Sequence, residues 1–344
     1  MPQSENPAAA VVYISDLTGT NSDPADLFDL AFLLRSPEKF ALTGMVLPDG
    51  DTEGVRLLDS FAARIPGAGD IAIYHGADGF REALRAAPAP VNVVVTAGFQ
   101  IPAAVLRTDR ALFREKVARL FLVGGHANDY TLARTAGERL PIDPRLKERH
   151  PERFAAAGDQ RLVISGEWSV VSEQKVVDGG VIDASEPTPP PPLTTDHYSL
   201  TTHPTTNLAE LLTSGEGVIW LPRDICLWRY AAPQLLSDGG AVCEWLLREL
   251  FGANLRAGRD RFAAADEPVL LSAIPAFLLA SQPDPLGWLR LFRAVTARVE
   301  TDPDGRVTNI AVKHERPNLY AVVGIDGRAL GEVVTKTLRV RPLT

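Results

Sequence analysis

Sulfur is nearly missing from this chain, with two cysteines and two methionines in 344 residues. Cys226 and Cys243 form neither a metal-ligand spacing nor a disulfide framework, which excludes a cystine-stapled scaffold and fits reduced thiols in the cytoplasm. Positive charge is also short. Lys and Arg total 35 against 43 Asp and Glu, a net charge of −8 and a pI near 5.4, which argues against a nucleic-acid partner held through phosphates. The longest nearly uncharged apolar stretch, "PVLLSAIPAFLLASQP", is too short and too proline-broken to span a bilayer. The opening "MPQSENPAAAVVYISD" has no basic stretch followed by an apolar one, so no secretion signal is expected, and residues 1–10 read as a flexible N-terminus. The remaining composition, 45% hydrophobic and 23% charged, is that of a globular protein, and an acidic chain suits a small neutral or cationic ligand.

Short β-branched runs alternate with amphipathic segments along the first third of the chain. "AVVYIS" precedes "PADLFDLAFLLRSP", "FALTGMVLP" precedes "DTEGVRLLDSFAARI", and "IAIYHG" follows. "VNVVVTAG" then leads to "IPAAVLRTDRALFREKVA" and "RLFLVGG". This alternation predicts repeated βα units, and the uniformly apolar runs predict parallel strands covered on both faces. The order breaks between about 126 and 206, where a charge run "GERLPIDPRLKERHPERF" and four consecutive prolines, Pro189 to Pro192, predict an insertion with a Pro-rich loop. The charge run reads as a solvated helical insertion, a lid or a contact within a homo-oligomer. Pattern returns with "NLAELLTSGEGVIWLPRD", and near the C-terminus Asp-Gly and Ile-Asp-Gly turns separate alternating runs, predicting a small antiparallel portion. The expected fold is α/β, a mainly parallel sheet flanked by helices, in a single domain spanning 1–344.

The first strand hands over to the first helix through "SDLTGTNSDPADLFD", with Asp16, Asp23, Asp26 and Asp29. Ligands of parallel sheets sit at strand carboxyl ends, and carboxylates crowded there repel unless a cation or proton lies between them. A hard divalent ion, Ca²⁺ or Mg²⁺, fits oxygen ligands of this kind. The alternative is structural: Asp23 before Pro24 makes a good N-cap, and Asp26 and Asp29 suit a helix N-terminus. Capping leaves Asp16 unexplained.

This run of segments resembles the nucleoside hydrolase family, the inosine-uridine-preferring N-ribohydrolases. Their strand and D-x-D-P-G-x-D-D loop, helix ending in SPE, GxTTVPGN segment, IPVYxGA segment, GPLTN loop and MGG are matched in order by "ISDLTGTNSDPADLFDLAFLLRSPE", "LTGMVLPDGD", "DIAIYHGAD", "VVVTAGFQIPAAVL" and "LFLVGG". The likeness covers about residues 11–125 well and 207–280 loosely. It implies a nucleoside-hydrolase-like fold and Ca²⁺-assisted hydrolysis of an N-glycosidic bond, in which the ion holds ribose hydroxyls and a water, a carboxylate takes the water's proton, and an acid assists the leaving base.

Carried over, Asp16 is general base and calcium ligand and Asp26 a calcium ligand, with Asp23 where some relatives carry a further aspartate. Ile101 replaces the GPLTN threonine, which uses its backbone carbonyl. Asp49 or Asp51 stands for a sugar-binding asparagine. Glu167 in "GEWS" or Ser199 in "HYSLTTHP" stands for the ribose-binding EFN motif. The chain departs from the pattern at Ser15 or Ile14 for the first aspartate, at Ala25 for a ribose-contacting one, and at Leu271 and Ser272 for the His-Asp pair that closes the calcium site.

His126 and Asn128 in "GGHANDY" follow a strand end and would border the same pocket, His126 as leaving-group acid or as a hydrogen-bonded loop residue. His75 reads as a strand-end structural residue, and Asp224 in "LPRDICLW" ends another strand. Trp220 and Trp228 read as core packing. Three functions remain open: a metal-dependent N-riboside hydrolase, a non-catalytic relative that binds a nucleoside or sugar, and a different Mg²⁺- or Ca²⁺-dependent hydrolase with a rebuilt pocket.

Overall fold

The computed structural model describes residues 7–17, 25–65, 71–124, 204–222, 227–229, 239–249, 268–270, 273–282, 292–301, 307–312 and 319–339. The chain begins with β1 (Ala9–Ile14), α1 (Ala25–Leu34), β2 (Phe40–Leu47), α2 (Thr52–Ala62) and β3 (Ile73–His75). It continues through α3 (Gly76–Ala86), β4 (Val91–Val95), α4 (Gln100–Thr108), α5 (Arg110–Lys116) and β5 (Val117–Val123). Further along come α6 (Pro204–Thr213), β6 (Val218–Leu221), β7 (Leu227–Arg229), α7 (residues 239–249), β8 (Pro268–Leu270) and α8 (Ile274–Ala280). The chain closes with β9 (Phe292–Thr301), β10 (Val307–Val312), β11 (Leu319–Ile325) and α9 (Gly327–Leu338).

Nine strands form one sheet in the order β10-β9-β11-β6-β5-β4-β1-β2-β3. From β11 to β3 the neighbours are parallel. β9 pairs antiparallel with β11, and β10 antiparallel with β9. The expected α/β fold, with its small antiparallel C-terminal portion, is therefore what the chain adopts. β7 and β8 make a separate antiparallel pair.

Strand alternation divides the core into two layers. Val11 and Tyr13 of β1, Phe121 of β5 and Ile219 of β6 pack with α1, α2, α7, α8 and α9. Val12 and Ile14, Leu120 and Leu122, and Val218 and Trp220 pack with α3, α4, α5 and α6. A strand buried on both faces needs apolar residues at every position, which is why these runs carry no polar alternation. α1 is covered nearly all round: residues 26–33 are all buried, and it packs against β2, α8 and α9. That agrees with its unbroken run "LFDLAFLL" outside a single aspartate.

Two local expectations change, and one helix is added to those read from the sequence. "IPAAVLRTDRALFREKVA" reads as one helix but forms two, because Asp109, at φ −143° and ψ 59°, ends α4 and accepts the Leu112 N–H at 3.2 Å as the N-cap of α5. "GADGFREALRA" supplies α3, a helix whose Gly-containing start masks its period; Gly76 there has a φ of 57°, which suits glycine. "GRALGEVVTKTL" is helix α9 rather than a strand, with Asp326 accepting the Ala329 N–H at 3.1 Å in its first turn. The predicted insertion over 126–206 lies outside the described residues. No helix among the described residues is long and apolar enough to cross a membrane.

Candidate functional site

The connections fix where a ligand site can lie. The chain runs β1, β2, β3 toward one edge with α1 and α2 on one face, then returns to β4 and β5 with α3, α4 and α5 on the other. The order reverses between β1 and β4, and crevices of open α/β sheets open at the carboxyl ends of such strands. At this point the backbone divides. The Ile14 carbonyl accepts the Thr96 N–H beyond β4 at 3.0 Å, while the Ser15 N–H donates to Val46 of β2 at 3.2 Å. Asp16 follows directly, half-buried at the carboxyl end of β1, where such a crevice is expected to open. Next to it lies the β4–α4 turn, where Gly98 adopts φ 67° and Phe99 is buried.

The two carboxylates of α1 turn inward. Asp26 is 4% exposed and accepts a 2.6 Å hydrogen bond from the Ser15 hydroxyl on Oδ2. Asp29, fully buried, accepts the N–H of Ala273 at 2.8 Å on Oδ2 and of Ile274 at 3.0 Å on Oδ1. It thereby caps α8 across the fold. The residue in the N-cap position, Ala273, has no side chain able to do so. A signal for this was in the sequence: a lone aspartate amid an apolar helix face needs a buried partner. Tyr13 lies beneath these groups, its hydroxyl 3.3 Å from Thr96 Oγ1 and its ring edge-on to Phe277 of α8 at 5.3 Å. Burial first, and then the charges of Asp26 and Asp29, hold the Tyr13 phenol well above its ordinary range, partly offset by hydrogen bonding to Thr96 and Ser15.

The remaining sequence candidates scatter. Asp51 caps α2 through a 2.8 Å bond from the Gly54 N–H to Oδ1, while Asp49 is exposed on the β2–α2 turn and lies against Gly76, where a β-carbon would clash with it. Both follow β2, next to β1, at the same carboxyl-end side of the sheet as Asp16. His75 is exposed at the end of β3 with Nδ1 3.3 Å from the Pro48 carbonyl. Ile101 is the second residue of α4; its N–H donates to Gly98 at 2.8 Å, its side chain is buried, and a carbonyl at that position points along the helix. Trp220 is core, its indole N–H donating to the Gly124 carbonyl at 2.9 Å. Asp23, His126, Asn128, Glu167, Ser199, Asp224, Leu271 and Ser272 lie outside the described residues.

The expected cation can be tested against these donors. A hard divalent ion takes six to eight oxygens, several of them carboxylate. No group of three or more His, Cys, Asp or Glu able to hold a metal ion occurs among the described residues. Asp26 Oδ2 and both oxygens of Asp29 already carry hydrogen-bond donors from the protein. The described donor set does not fit such an ion.

No protein-family model matches the chain, and no curated protein matches it in sequence. Solved structures do. A plant nucleoside hydrolase, PpNRh1, superposes with a TM-score of 0.56 at 13% identity, covering 97% of this chain and 100% of its own. A purine-preferring ribonucleoside hydrolase from Gardnerella vaginalis gives 0.57 at 13% identity over 96% of this chain and 98% of its own. The type III effector protein XopQ, solved with adenosine diphosphate ribose, gives 0.51 at 17% identity over 96% of this chain and 93% of its own. Identities this low speak for the backbone rather than the chemistry, and the chain therefore has the fold of the nucleoside hydrolases in a divergent sequence.

Proposed function

We propose that this chain binds a nucleoside or a related N-riboside, of which ADP-ribose is one, in the crevice between β1 and β4. The observation that carries the reading is the division of labour among the aspartates: Asp26 and Asp29 hold the fold together, while Asp16 alone of the described three is half-exposed at the strand end. A carboxylate there accepts hydrogen bonds from vicinal ribose hydroxyls, each charge-assisted bond being worth about 1.5–3 kcal/mol. Asp49, exposed on the neighbouring turn, offers a second sugar contact. His126, Asn128, Glu167 and Ser199 are proposed for the same ligand from the sequence pattern alone. The solved relatives support the ligand class, two being nucleoside hydrolases and one holding ADP-ribose.

The position of Asp16 also favours a second reading, hydrolysis. A carboxylate at the end of β1 suits the deprotonation of a water attacking the anomeric carbon, the C–N bond breaking as the base leaves with a proton, which His126 is proposed to supply. One experiment separates the two. Calorimetric titration of adenosine, inosine, uridine and ADP-ribose is run on the full chain and on Asp16→Ala, with chromatography for free base. Saturable binding weakened at least about tenfold by the substitution, with no base released, establishes the binding protein. Base release establishes the hydrolase, and binding of none of the four ligands refutes both.

A further inference from the structure

We propose that hydrogen bonds replace a divalent cation as the cross-link between β1, α1 and α8, so that ligand binding in the crevice needs no metal; only the last clause rests on the ligand-binding reading above. A cation at this place would join the strand end, the first helix and the segment entering α8 by drawing carboxylates from each onto one centre. Here the same three elements are joined by donors. The Ser15 hydroxyl ties the end of β1 to Asp26 of α1, and the Ala273 and Ile274 amides tie the start of α8 to Asp29 of α1.

These bonds are also hostile to a cation. Each N–H aims a partial positive charge at an oxygen of Asp29, so a dication on that carboxylate would face two hydrogens at close range. The neighbour that feels the charges of Asp26 and Asp29 is the phenol of Tyr13, whose ring meets Phe277 edge to face, and neither side chain offers a further carboxylate. The carbonyl of Ile101, the neutral ligand implied by the family resemblance, belongs to the first turn of α4. Asp29 therefore does locally what the missing acidic partner before α8 would do through an ion: it fixes that segment against α1.

The test is calorimetric titration of CaCl₂, and separately MgCl₂, into chelator-treated full-length protein, with thermal melts in chelator and in 1–2 mM Ca²⁺, on the order of an extracellular calcium site's Kd. No saturable binding and an unchanged melting temperature support the proposal. One-site binding in the micromolar range that Asp16→Asn or Asp26→Asn abolishes, or a melt lowered by chelator, overturns it. Adenosine and ADP-ribose are then titrated in both buffers. Equal Kd values support metal independence, and a tenfold tightening by Ca²⁺ overturns it. If neither ligand binds in either buffer, the ligand reading fails, and the cation titration alone decides the cross-link.

Discussion

Asp29 reaches from the middle of α1 to the first two amides of a helix far away in sequence, and removing it gives a sharp test of the cap. α8 is buried along its whole length, and Ala273 and Ile274 are fully so, which keeps water from taking over the orphaned N–H groups. Asp29→Ala leaves two buried amides without their acceptor. At about 1–3 kcal/mol for each unsatisfied group, the expected loss is about 4 kcal/mol. Asp29→Asn keeps one acceptor oxygen but turns an NH₂ toward the second amide and removes the charge, for about 2 kcal/mol. With a urea m-value of about 3 kcal/mol/M, the unfolding midpoints should fall by about 1.3 M and 0.7 M. Hydrogen exchange followed by mass spectrometry supplies the local readout: amides of the 273–280 segment should exchange faster in both variants. A loss below about 0.5 kcal/mol in Asp29→Ala, with unchanged exchange in that segment, would refute the cap.

Two further substitutions address the groups around Asp29. Ser15→Ala removes the hydroxyl from Asp26 in a buried setting and should cost about 1–2 kcal/mol by urea denaturation, with the far-ultraviolet dichroism unchanged; a neutral result would mean that Asp26 finds equal support elsewhere. For Tyr13 the sign follows from its raised folded pKa. The phenol stays protonated in the folded chain while the unfolded one ionises near pH 10, so its contribution is complete below pH 10 and is lost as pH rises above it. Wild type should therefore lose stability more steeply than Tyr13→Phe above pH 10, by up to about 1.4 kcal/mol per pH unit, and parallel curves in denaturant titrations from pH 8 to 11 would contradict this.

Local sequence determined the elements of this protein. Runs such as Val93–Val95 and Leu120–Val123 are apolar at every position because both faces of a parallel strand are covered, and that pattern needs no knowledge of neighbours. It also located Asp16 at a strand end. The misreadings were local competitions: Asp109 capping a new helix inside one apolar period, and "GRALGEVVTKTL", whose apolar positions serve a helix face as readily as a strand. What the four aspartates do was decided only by tertiary structure. Asp26 and Asp29 read equally well as ligands or caps, because a carboxylate's role depends on which donor the fold brings to it. Ser15 and the amides of Ala273 and Ile274 arrive from 11, 244 and 245 residues away. Such pairings are set by the packing of α1 against β2 and α8, which the spacing of residues along the chain does not encode.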